Sequence, residues 1–346
     1  MYVNMQQEVD FSTMLWYNYY IITRYLEEHM KIVILDGFAV NPGDLSWDFL
    51  DKYGEVEVFA KTPDAECAAK CHGARAVFTN RARITAELLD ECPSVKYVSA
   101  LGTGYDMIDI EACKARGVAV VNIPAYSTAS VAQLTIQFLL TLFADLDGMQ
   151  NIVKVGMWTG IPGYQYQQVM FTELQGLTLG LVGCGNIGMR VAETASALGM
   201  RVIAHTAHHH DDNDIVKYVS LDALLAESDA VSLHCPLTDA TRGMVDAEFI
   251  ARMKDGARLI NTSRGAVLNE RDVSDALNSG KLAGAALDVL AVEPALPDNP
   301  LLTAKNCIIT PHIAWASKAA RQRLIDIIDA SMASFVNTGV GLNRIV

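Results

Sequence analysis

The sequence predicts an α/β protein of two doubly wound domains, each a parallel sheet covered by helices on both faces. First, the chain has 346 residues, which is more than one hydrophobic core usually serves. Second, short apolar runs alternate with helical patterns. Third, a glycine-rich turn joins a strand-like run to a helical segment near residue 183. Apolar residues make up 51% of the chain, which is enough to fill two cores.

The first segment, residues 1–29, differs from the rest. It is rich in aromatic residues but has no basic start and no small-residue cleavage site. Its apolar run is shorter than the ~20 residues that a membrane span needs. We expect residues 1–29 to be an atypical leader outside the folded core. The alternative is an extra helix that packs on the first domain.

The first domain is predicted over residues 30–127. Its strand-like runs are KIVILDG, VEVFAK, RAVFTN, KYVSAL and VAVVNI, and the segments with helical content between them are SWDFLDKYG, DAECAAKCHG, TAELLDEC and DIEACKARG. This alternation is typical of parallel strands joined by crossover helices. The C-terminal segment 317–346, with a helix predicted at 317–337, is free to return and complete this domain.

The second domain is predicted over residues 128–316. It begins with a long apolar helix at about 128–146, and a loop rich in Gly, Tyr and Gln follows. The alternation then resumes with the runs LTLGLV, RVIAHT, AVSLHC, ARLINTS, LAGAALDVL and CIITPHI. The domain therefore repeats the architecture of the first without repeating its sequence.

The glycine-rich turn predicts dinucleotide binding. Gly183, Gly185 and Gly188 follow the run LTLGLV and open a helix, with another strand-like run behind it. The first glycine permits a tight turn, the second lets the backbone approach a pyrophosphate, and the third lets helix and strand pack closely. The N–H groups at the helix start favour an anion.

The second strand of such a unit is expected to end in an acid that binds the ribose hydroxyls. Here the strand ends in Thr206, and the segment AHHHDDND follows. His208, His209 and His210 would favour a 2′-phosphate if they lay beside the ribose in protonated form. A solvated loop without a role and, less in keeping with the spacing, a metal site are the alternatives. The turn therefore predicts NAD as the cofactor with NADP possible, and the residues after the second strand leave the choice between the two open.

Composition narrows the partners and the compartment. Charged residues are 19% of the chain and the net charge is −13 without a basic run, which argues against nucleic acid or a membrane as partner. Seven cysteines without a CxxC pair indicate reduced thiols in the cytoplasm rather than a disulfide framework or a zinc site.

Three polar residues follow separate strand-like runs of the second domain. Arg264 lies in LINTSRGAVLNE, Glu293 follows ALDVL in a proline-rich loop, and His312 lies in IITPHIAWAS. The carboxyl ends of parallel strands meet at one edge of a sheet, so these residues are expected to converge there. His312 suits proton transfer near neutral pH, a carboxylate at Glu293 would favour the protonated ring, and Arg264 suits a carboxylate and a carbonyl oxygen.

SRGAV, LDVL followed by EP, and TPHIA, in this order behind the glycine turn, resemble the D-isomer-specific 2-hydroxyacid dehydrogenase family over roughly residues 30–340. HIAWAS and LDGFAVNPGDLSW are similar to its glycerate dehydrogenase (hydroxypyruvate reductase) branch. The resemblance implies a Rossmann-type nucleotide domain, a flavodoxin-like substrate domain and reversible NAD(P)H-dependent reduction of hydroxypyruvate or glyoxylate. The alternatives are a dehydrogenase for D-lactate, phosphoglycerate or phosphite, and a dinucleotide-sensing regulator on the same fold.

The resemblance also implies further site residues. The catalytic residues are Arg264, Glu293 and His312. The substrate residues are Leu101, Gly102, Thr103, Gly104, Arg264 and Trp315, with backbone N–H groups of the 101–104 loop as a carboxylate cradle. The cofactor residues are Gly183, Gly185, Asn186, Ile187, Gly188, Thr206, His234, Cys235, Pro236, Thr262, Ser263, Asp288 and His312. Asp288 would meet the nicotinamide carboxamide. Arg81 stands where the family commonly has Lys. No metal is expected. We expect a homodimer that forms through the helix near 128–146.

Overall fold

The computed structural model describes residues 30–159, 171–208 and 211–346. The described chain divides into two compact units. The first extends to Tyr126 and takes in Lys318–Val346, and the second is Ser127–Ser317. The predicted leader, residues 1–29, lies outside the described residues, as do His209 and His210.

The first unit contains a five-stranded parallel sheet in the order β2-β1-β3-β4-β5. The strands are β1 (Met30–Ile34), β2 (Gly54–Val58), β3 (Ala76–Thr79), β4 (Tyr97–Ala100) and β5 (Ala119–Val121). This order is that of flavodoxin-like sheets. All residues of β3 and β4 are buried, as expected for central strands covered on both faces. The predicted flavodoxin-like fold is confirmed.

Four short helices and a long C-terminal helix cover this sheet. They are α1 (Gly37–Val40), α2 (Asp64–Cys71), α3 (Ala86–Glu91), α4 (Ile110–Ala115) and, at the chain's end, α11 (Lys318–Thr338). The segment SWDFLDKYG forms only a short 3-10 turn, Asp48–Leu50. Thr85 and Asp109 cap α3 and α4 by accepting N–H bonds, which satisfies part of each helix start.

The C-terminal helix is bound to the first unit by polar contacts as well as apolar ones. The guanidinium of Arg321, 7% exposed, donates to both carboxylate oxygens of Asp44 at 2.6 and 2.8 Å. The hydroxyls of Tyr97 and Ser331 lie 2.9 Å apart, and the ring of Phe335 contacts that of Tyr97 at a centroid distance of 4.7 Å. These contacts join the last helix to strand β4 and to the segment that follows α1.

The second unit contains a seven-stranded parallel sheet in the order β12-β11-β10-β9-β6-β7-β8. The strands are β6 (Thr178–Val182), β7 (Arg201–His205), β8 (Val216–Tyr218), β9 (Ala230–Leu233), β10 (Ala257–Asn261), β11 (Leu282–Leu287) and β12 (Cys307–Ile309). Numbered within the unit, the central order is 3-2-1-4-5-6, which is that of Rossmann-type sheets. The predicted fold is again confirmed; β8 is a strand that the sequence did not predict, and β12 extends this order as the seventh strand.

Six helices lie in the described residues of the second unit. They are α5 (Thr128–Phe143), α6 (Leu146–Lys154), α7 (Asn186–Ala197), α8 (Leu221–Glu227), α9 (Ala247–Arg252) and α10 (Glu270–Ser279). The helix predicted at 128–146 instead ends at Phe143, because Asp145 begins a new helix by accepting the N–H of Gly148 at 3.0 Å. In the described parts of the chain, no single helix meets the length and hydropathy required to span a membrane; α5 and α6 meet them only together, and they are bent by 57°.

Candidate active site

The carboxyl ends of the strands in the second unit carry the predicted site residues. In the sheet register, Val182 pairs with Leu233, Leu233 with Asn261, Asn261 with Leu287, and Leu287 with Ile309. Segments that directly follow these residues contain Gly183, His234, Arg264, Asp288 and His312, listed in the order of the strands. One edge of one sheet therefore positions them all.

The glycine turn has the shape that a dinucleotide requires. Gly183 has φ +91°, and a Cβ there would lie 2.7 Å from the backbone of His234 and Cys235. A Cβ on Gly188 would lie 2.7 Å from the carbonyl oxygen of Gly183. Gly185 has nothing within 4 Å of such a Cβ, which leaves its outer face open. The residues present therefore fit a pyrophosphate held by backbone.

The start of α7 adds to this fit. Gly185 is its N-cap, and no side chain accepts a bond there. The first N–H groups of a helix, here those of Asn186, Ile187 and Gly188, have no partner within the helix. They carry the positive end of the helix dipole. This arrangement explains how an acidic protein can bind a phosphate anion locally.

A pocket lies beyond the end of β7, where the adenosine ribose is expected. Its lining includes Thr206, His208, Asp211 and Asp212. The Thr206 hydroxyl donates to the carbonyl oxygen of His208 at 2.6 Å, and Asp212 accepts the N–H of Tyr218 at 2.7 Å. The strand thus ends without an acid, as the sequence shows, but the loop that follows brings two carboxylates into the same pocket.

Three further cofactor candidates follow strand β9. Desolvation lowers the pKa of the half-buried His234 to about 4, so its ring is neutral at pH 7, and its Nε2 lies 2.9 Å from the Ser232 hydroxyl. Cys235 is buried and Pro236 is exposed. Burial raises the pKa of the Cys235 thiol, which makes it a poor nucleophile.

His312 and Glu293 form a direct pair. Nδ1 of His312 lies 2.7 Å from Oε2 of Glu293, and the two side chains are 30% and 23% exposed. The other carboxylate oxygen of Glu293 accepts the N–H of Leu290 at 3.1 Å. With Nδ1 occupied, Nε2 is the ring nitrogen available for chemistry, and the carboxylate stabilises the protonated ring.

The backbone at His312 has φ +58°, a left-handed conformation that non-glycine residues adopt uncommonly. Asp288 fixes this loop from below. Its carboxylate accepts bonds from the Thr310 hydroxyl at 2.5 Å and from the N–H groups of Ile313 and Ala314 at 2.9 and 2.8 Å. Burial raises the pKa of Asp288, and these donors act in the opposite direction. Strained backbone persists where the surroundings over-determine it.

Trp315 lies in the same loop as His312. Its indole N–H donates to the carbonyl oxygen of His312 at 3.0 Å, so the ring has a fixed position relative to the histidine. Three residues of the loop, His312, Ile313 and Trp315, are at least partly accessible.

Arg264 lies in a turn that a buried asparagine organises. The side-chain amide of Asn261, which is fully buried, donates to the carbonyl oxygen of Arg264 at 2.9 Å. Its oxygen accepts from the N–H and the hydroxyl of Ser263 at 2.9 and 2.8 Å. Thr262 turns towards α5, with its hydroxyl 3.0 Å from that of Thr135.

Gly265 brings this turn against the segment before Glu293. A Cβ on Gly265 would lie 1.9 Å from the backbone of Leu290, so only glycine permits this approach. Glu270 braces the same segment by accepting the N–H of Ala291 at 2.8 Å. Asn261, Gly265 and Glu270 were not among the predicted site residues. The one sequence signal was a polar residue, Asn261, at the end of a strand and directly after Leu259 and Ile260.

The predicted carboxylate cradle belongs to the first unit and follows β4. The N–H of Leu101 is already used, because it donates to the carbonyl oxygen of Thr79 at 2.7 Å as Leu101 continues the sheet. Thr103 instead holds the loop, with its hydroxyl donating to the carbonyl oxygen of Ile123 at 2.9 Å. Within the described residues, the N–H groups of Gly102, Thr103 and Gly104 make no hydrogen bond.

Arg81 lies in a neighbouring loop that Asp36 holds. The carboxylate of Asp36, 5% exposed, accepts the N–H groups of Asn80, Arg81 and Ala82 at 3.1, 2.8 and 2.8 Å. Sequence reasoning also missed this acid. Among the described residues, no three or more His, Cys, Asp or Glu side chains lie close enough together to hold a metal.

Comparison with known proteins agrees with this geometry. The model of the family "D-isomer specific 2-hydroxyacid dehydrogenase, NAD binding domain" matches residues 136–314. A hydroxypyruvate reductase of Blautia hydrogenotrophica is 43% identical over 89% of this chain and 97% of its own. A glycerate dehydrogenase of Methylorubrum extorquens is 35% identical over 88% and 96%.

Among solved structures, the TT0316 protein of Thermus thermophilus has a TM-score of 0.82 and 34% identity, and the match covers 92% of this chain and all of that one. The sequence matches extend across both units, and the motifs lie in the family's order on one sheet edge. The chain therefore belongs to the D-isomer-specific 2-hydroxyacid dehydrogenase family, as its motifs predict.

Proposed function

We propose that the protein catalyses the NAD(P)H-dependent reduction of a small 2-keto acid, hydroxypyruvate or glyoxylate, to the D-2-hydroxy acid, and the reverse oxidation. The observation that carries this proposal is the His312–Glu293 pair, 2.7 Å long, on the sheet edge that also bears the glycine turn and Arg264. Relatives named hydroxypyruvate reductase and glycerate dehydrogenase support the same substrates. A regulator that lacks catalysis is not favoured.

The turn of Gly183, Gly185 and Gly188 and the start of α7 would hold the pyrophosphate of NAD(P)H. When bound, this cofactor supplies the hydride that reduces the carbonyl carbon. Arg264 binds the substrate carboxylate and polarises the carbonyl, because a guanidinium can donate two parallel bonds to oxygen. His312 donates a proton from Nε2 to the carbonyl oxygen as that oxygen gains charge, so the C=O group becomes CH–OH.

Glu293 and Asp288 position this acid. Glu293 holds Nδ1, so the ring cannot turn away from the substrate and its charged form is stabilised. Asp288 fixes the loop that carries His312, and we propose that it also meets the nicotinamide carboxamide. The N–H groups of Gly102 and Gly104 in the first unit would cradle the substrate carboxylate, and Trp315 would limit the size of the substrate.

A panel of short 2-keto acids, assayed with NADH and with NADPH, tests this proposal. We expect hydroxypyruvate or glyoxylate to be reduced with the highest kcat/KM and the product to be the D enantiomer. Chiral chromatography of the product checks the stereochemistry. Failure of every 2-keto acid to oxidise the cofactor, with cofactor binding shown separately by fluorescence, would refute the proposed reaction.

We further propose a homodimer that forms through α5 and α6. No residue of α6 is buried in the described chain. On this helix the side chains of Leu146 and Val153 are 70% and 49% exposed, and on α5 that of Leu140 is 44% exposed. A second copy would cover this apolar face. Sedimentation of a Leu146→Glu/Val153→Glu variant should give a monomer, whereas Leu302→Glu, at a 47% exposed control position, should leave a dimer.

The cytoplasm is the proposed compartment. All seven cysteines lie in the described part of the chain and are free. Burial raises the pKa of Cys71 and Cys307 to about 12. Such thiols are unreactive and fit a reducing environment.

A further inference from the structure

A second, basic pocket lies in the first unit, away from the residues described above. It is a cavity of about 320 Å³, at the lower end of the ~300–1,000 Å³ typical of small-molecule sites. Its lining contains Arg75, Lys96, Lys114 and Arg344. We name it the amino-edge pocket because it lies at the amino ends of β3 and β4. Arg75 and Lys96 directly precede β3 and β4. The loop 101–104 follows β4, so the pocket lies at the opposite edge of the same sheet.

The charge of this pocket is unbalanced. No carboxylate side chain lines it, and within the described residues none of its four cations forms an ion pair. Elsewhere in this unit, basic side chains do pair with acids, as Lys52 does with Asp329 at 2.7 Å.

This local excess of positive charge occurs in a chain whose net charge is −13. Four cations around one cavity repel each other, and a multiply charged anion would replace that repulsion by attraction. Arginine suits such a ligand because its planar group donates two parallel bonds to phosphate or carboxylate oxygens.

Backbone hydrogen bonds hold the cationic residues in place. The N–H of Lys96 donates to the carbonyl oxygen of Arg75 at 2.9 Å. Arg344 forms an antiparallel bridge with Val121, and the N–H of the following residue, Ile345, donates to Val120 at 2.7 Å. The basic groups therefore come from two strand starts, from the last turn of α4 and from the C-terminal segment that lies along β5. An anion that binds all of them would fasten this segment to the sheet.

We propose that the amino-edge pocket binds a small multivalent anion, with phosphate or carboxylate oxygens as the groups recognised. This site is separate from the proposed reaction and does not depend on it. Binding stabilises the first unit, because the ligand binds the folded arrangement of strand starts and C-terminal segment and not the unfolded chain.

Calorimetric titration of the full chain with inorganic pyrophosphate tests this site, and citrate forms the carboxylate arm. Saturating NADH is present so that the glycine turn is filled. We expect saturable binding and a raised unfolding temperature, and at least a tenfold weaker affinity in the Lys96→Gln/Arg344→Gln variant. The relative response to pyrophosphate and citrate identifies the preferred oxygen class.

The matched control is Lys61→Gln/Arg83→Gln, which removes two exposed charges of the same unit outside the pocket. It should bind as the wild type does. If the pocket variant does not fold by circular dichroism, Lys114→Gln, at an exposed helical position, replaces it. Absence of saturable binding to both anions, or equal affinity in the pocket and control variants, would overturn the proposal.

Discussion

Replacing Glu293 by Gln should move the pH profile of keto-acid reduction to lower pH. The amide retains the shape of the side chain but removes the charge that lies beside His312 at 2.7 Å. Two unit charges about 4 Å apart interact by about 4 kcal/mol at an effective dielectric constant of about 20. Because the side chains are 30% and 23% exposed, solvent screening reduces this to about 1–3 kcal/mol.

The sign follows from the role of the ring. Reduction needs protonated His312, so activity is present at low pH and lost as pH rises. Without the carboxylate the positive charge on the ring loses its stabilising partner, so reduction should fall to half at a lower pH than in the wild type. Oxidation needs the neutral ring, so it should begin at a correspondingly lower pH.

The assay is kcat/KM for hydroxypyruvate against pH, in both directions of the reaction. Asp298→Asn removes an exposed charge from the same loop and should leave the profile in place. A Glu293→Gln profile that superposes on the wild type would refute the argument, since the carboxylate would then have no part in setting the protonation of the ring.

The other predictions concern the proton donor, the turn and the ribose pocket. His312→Ala should lower kcat by on the order of 10²–10⁴-fold, while a fluorescence titration shows unchanged NADH binding; near-normal kcat would exclude it as the acid. Gly188→Ala should destabilise the fold by about 1–3 kcal/mol, because the new Cβ meets the Gly183 carbonyl oxygen at 2.7 Å, whereas Gly185→Ala should keep the melting temperature and weaken NADH binding. Equal melting temperatures for both would contradict this packing argument. Thr206→Asp should raise KM for NADPH by like-charge repulsion and favour NADH. Wild-type rejection of NADPH by more than about a thousandfold, roughly 4 kcal/mol, would instead mean that a carboxylate of the following loop already binds the ribose.

Both sheets were predictable because most strands are short runs rich in apolar residues that alternate with segments of helical content. β6 and β9 are buried along their whole length, so no solvent-facing residue breaks their pattern. β8 was missed because Val216–Tyr218 has three residues with an exposed lysine in the middle. The break between α5 and α6 was missed because the apolar pattern continues through Leu146, and only the cap by Asp145 shows that a new helix begins.

The site was predictable where one residue type suits one task, and it was not where residues act on backbone. Arg264, Glu293 and His312 follow from motif order and chemistry. The bonds of Asn261 and Asp36 to neighbouring N–H and carbonyl groups depend on three-dimensional turns that no spacing encodes. The same holds for Leu101. Its N–H is bonded to the carbonyl oxygen of Thr79 because sheet pairing continues one residue beyond the end of β4.

The first unit is made of two separate stretches of chain, and this affects how it folds during synthesis on the ribosome. About 190 residues separate Tyr126 from Lys318, which at ~5–20 residues per second take on the order of 10–40 s to synthesise. During that interval strand β4 lacks the helix whose Ser331 and Phe335 cover Tyr97. The second unit, which is continuous, can fold first. The strands that are synthesised first are therefore the last to have their apolar surface covered, and the nascent chain is most prone to aggregation in that interval.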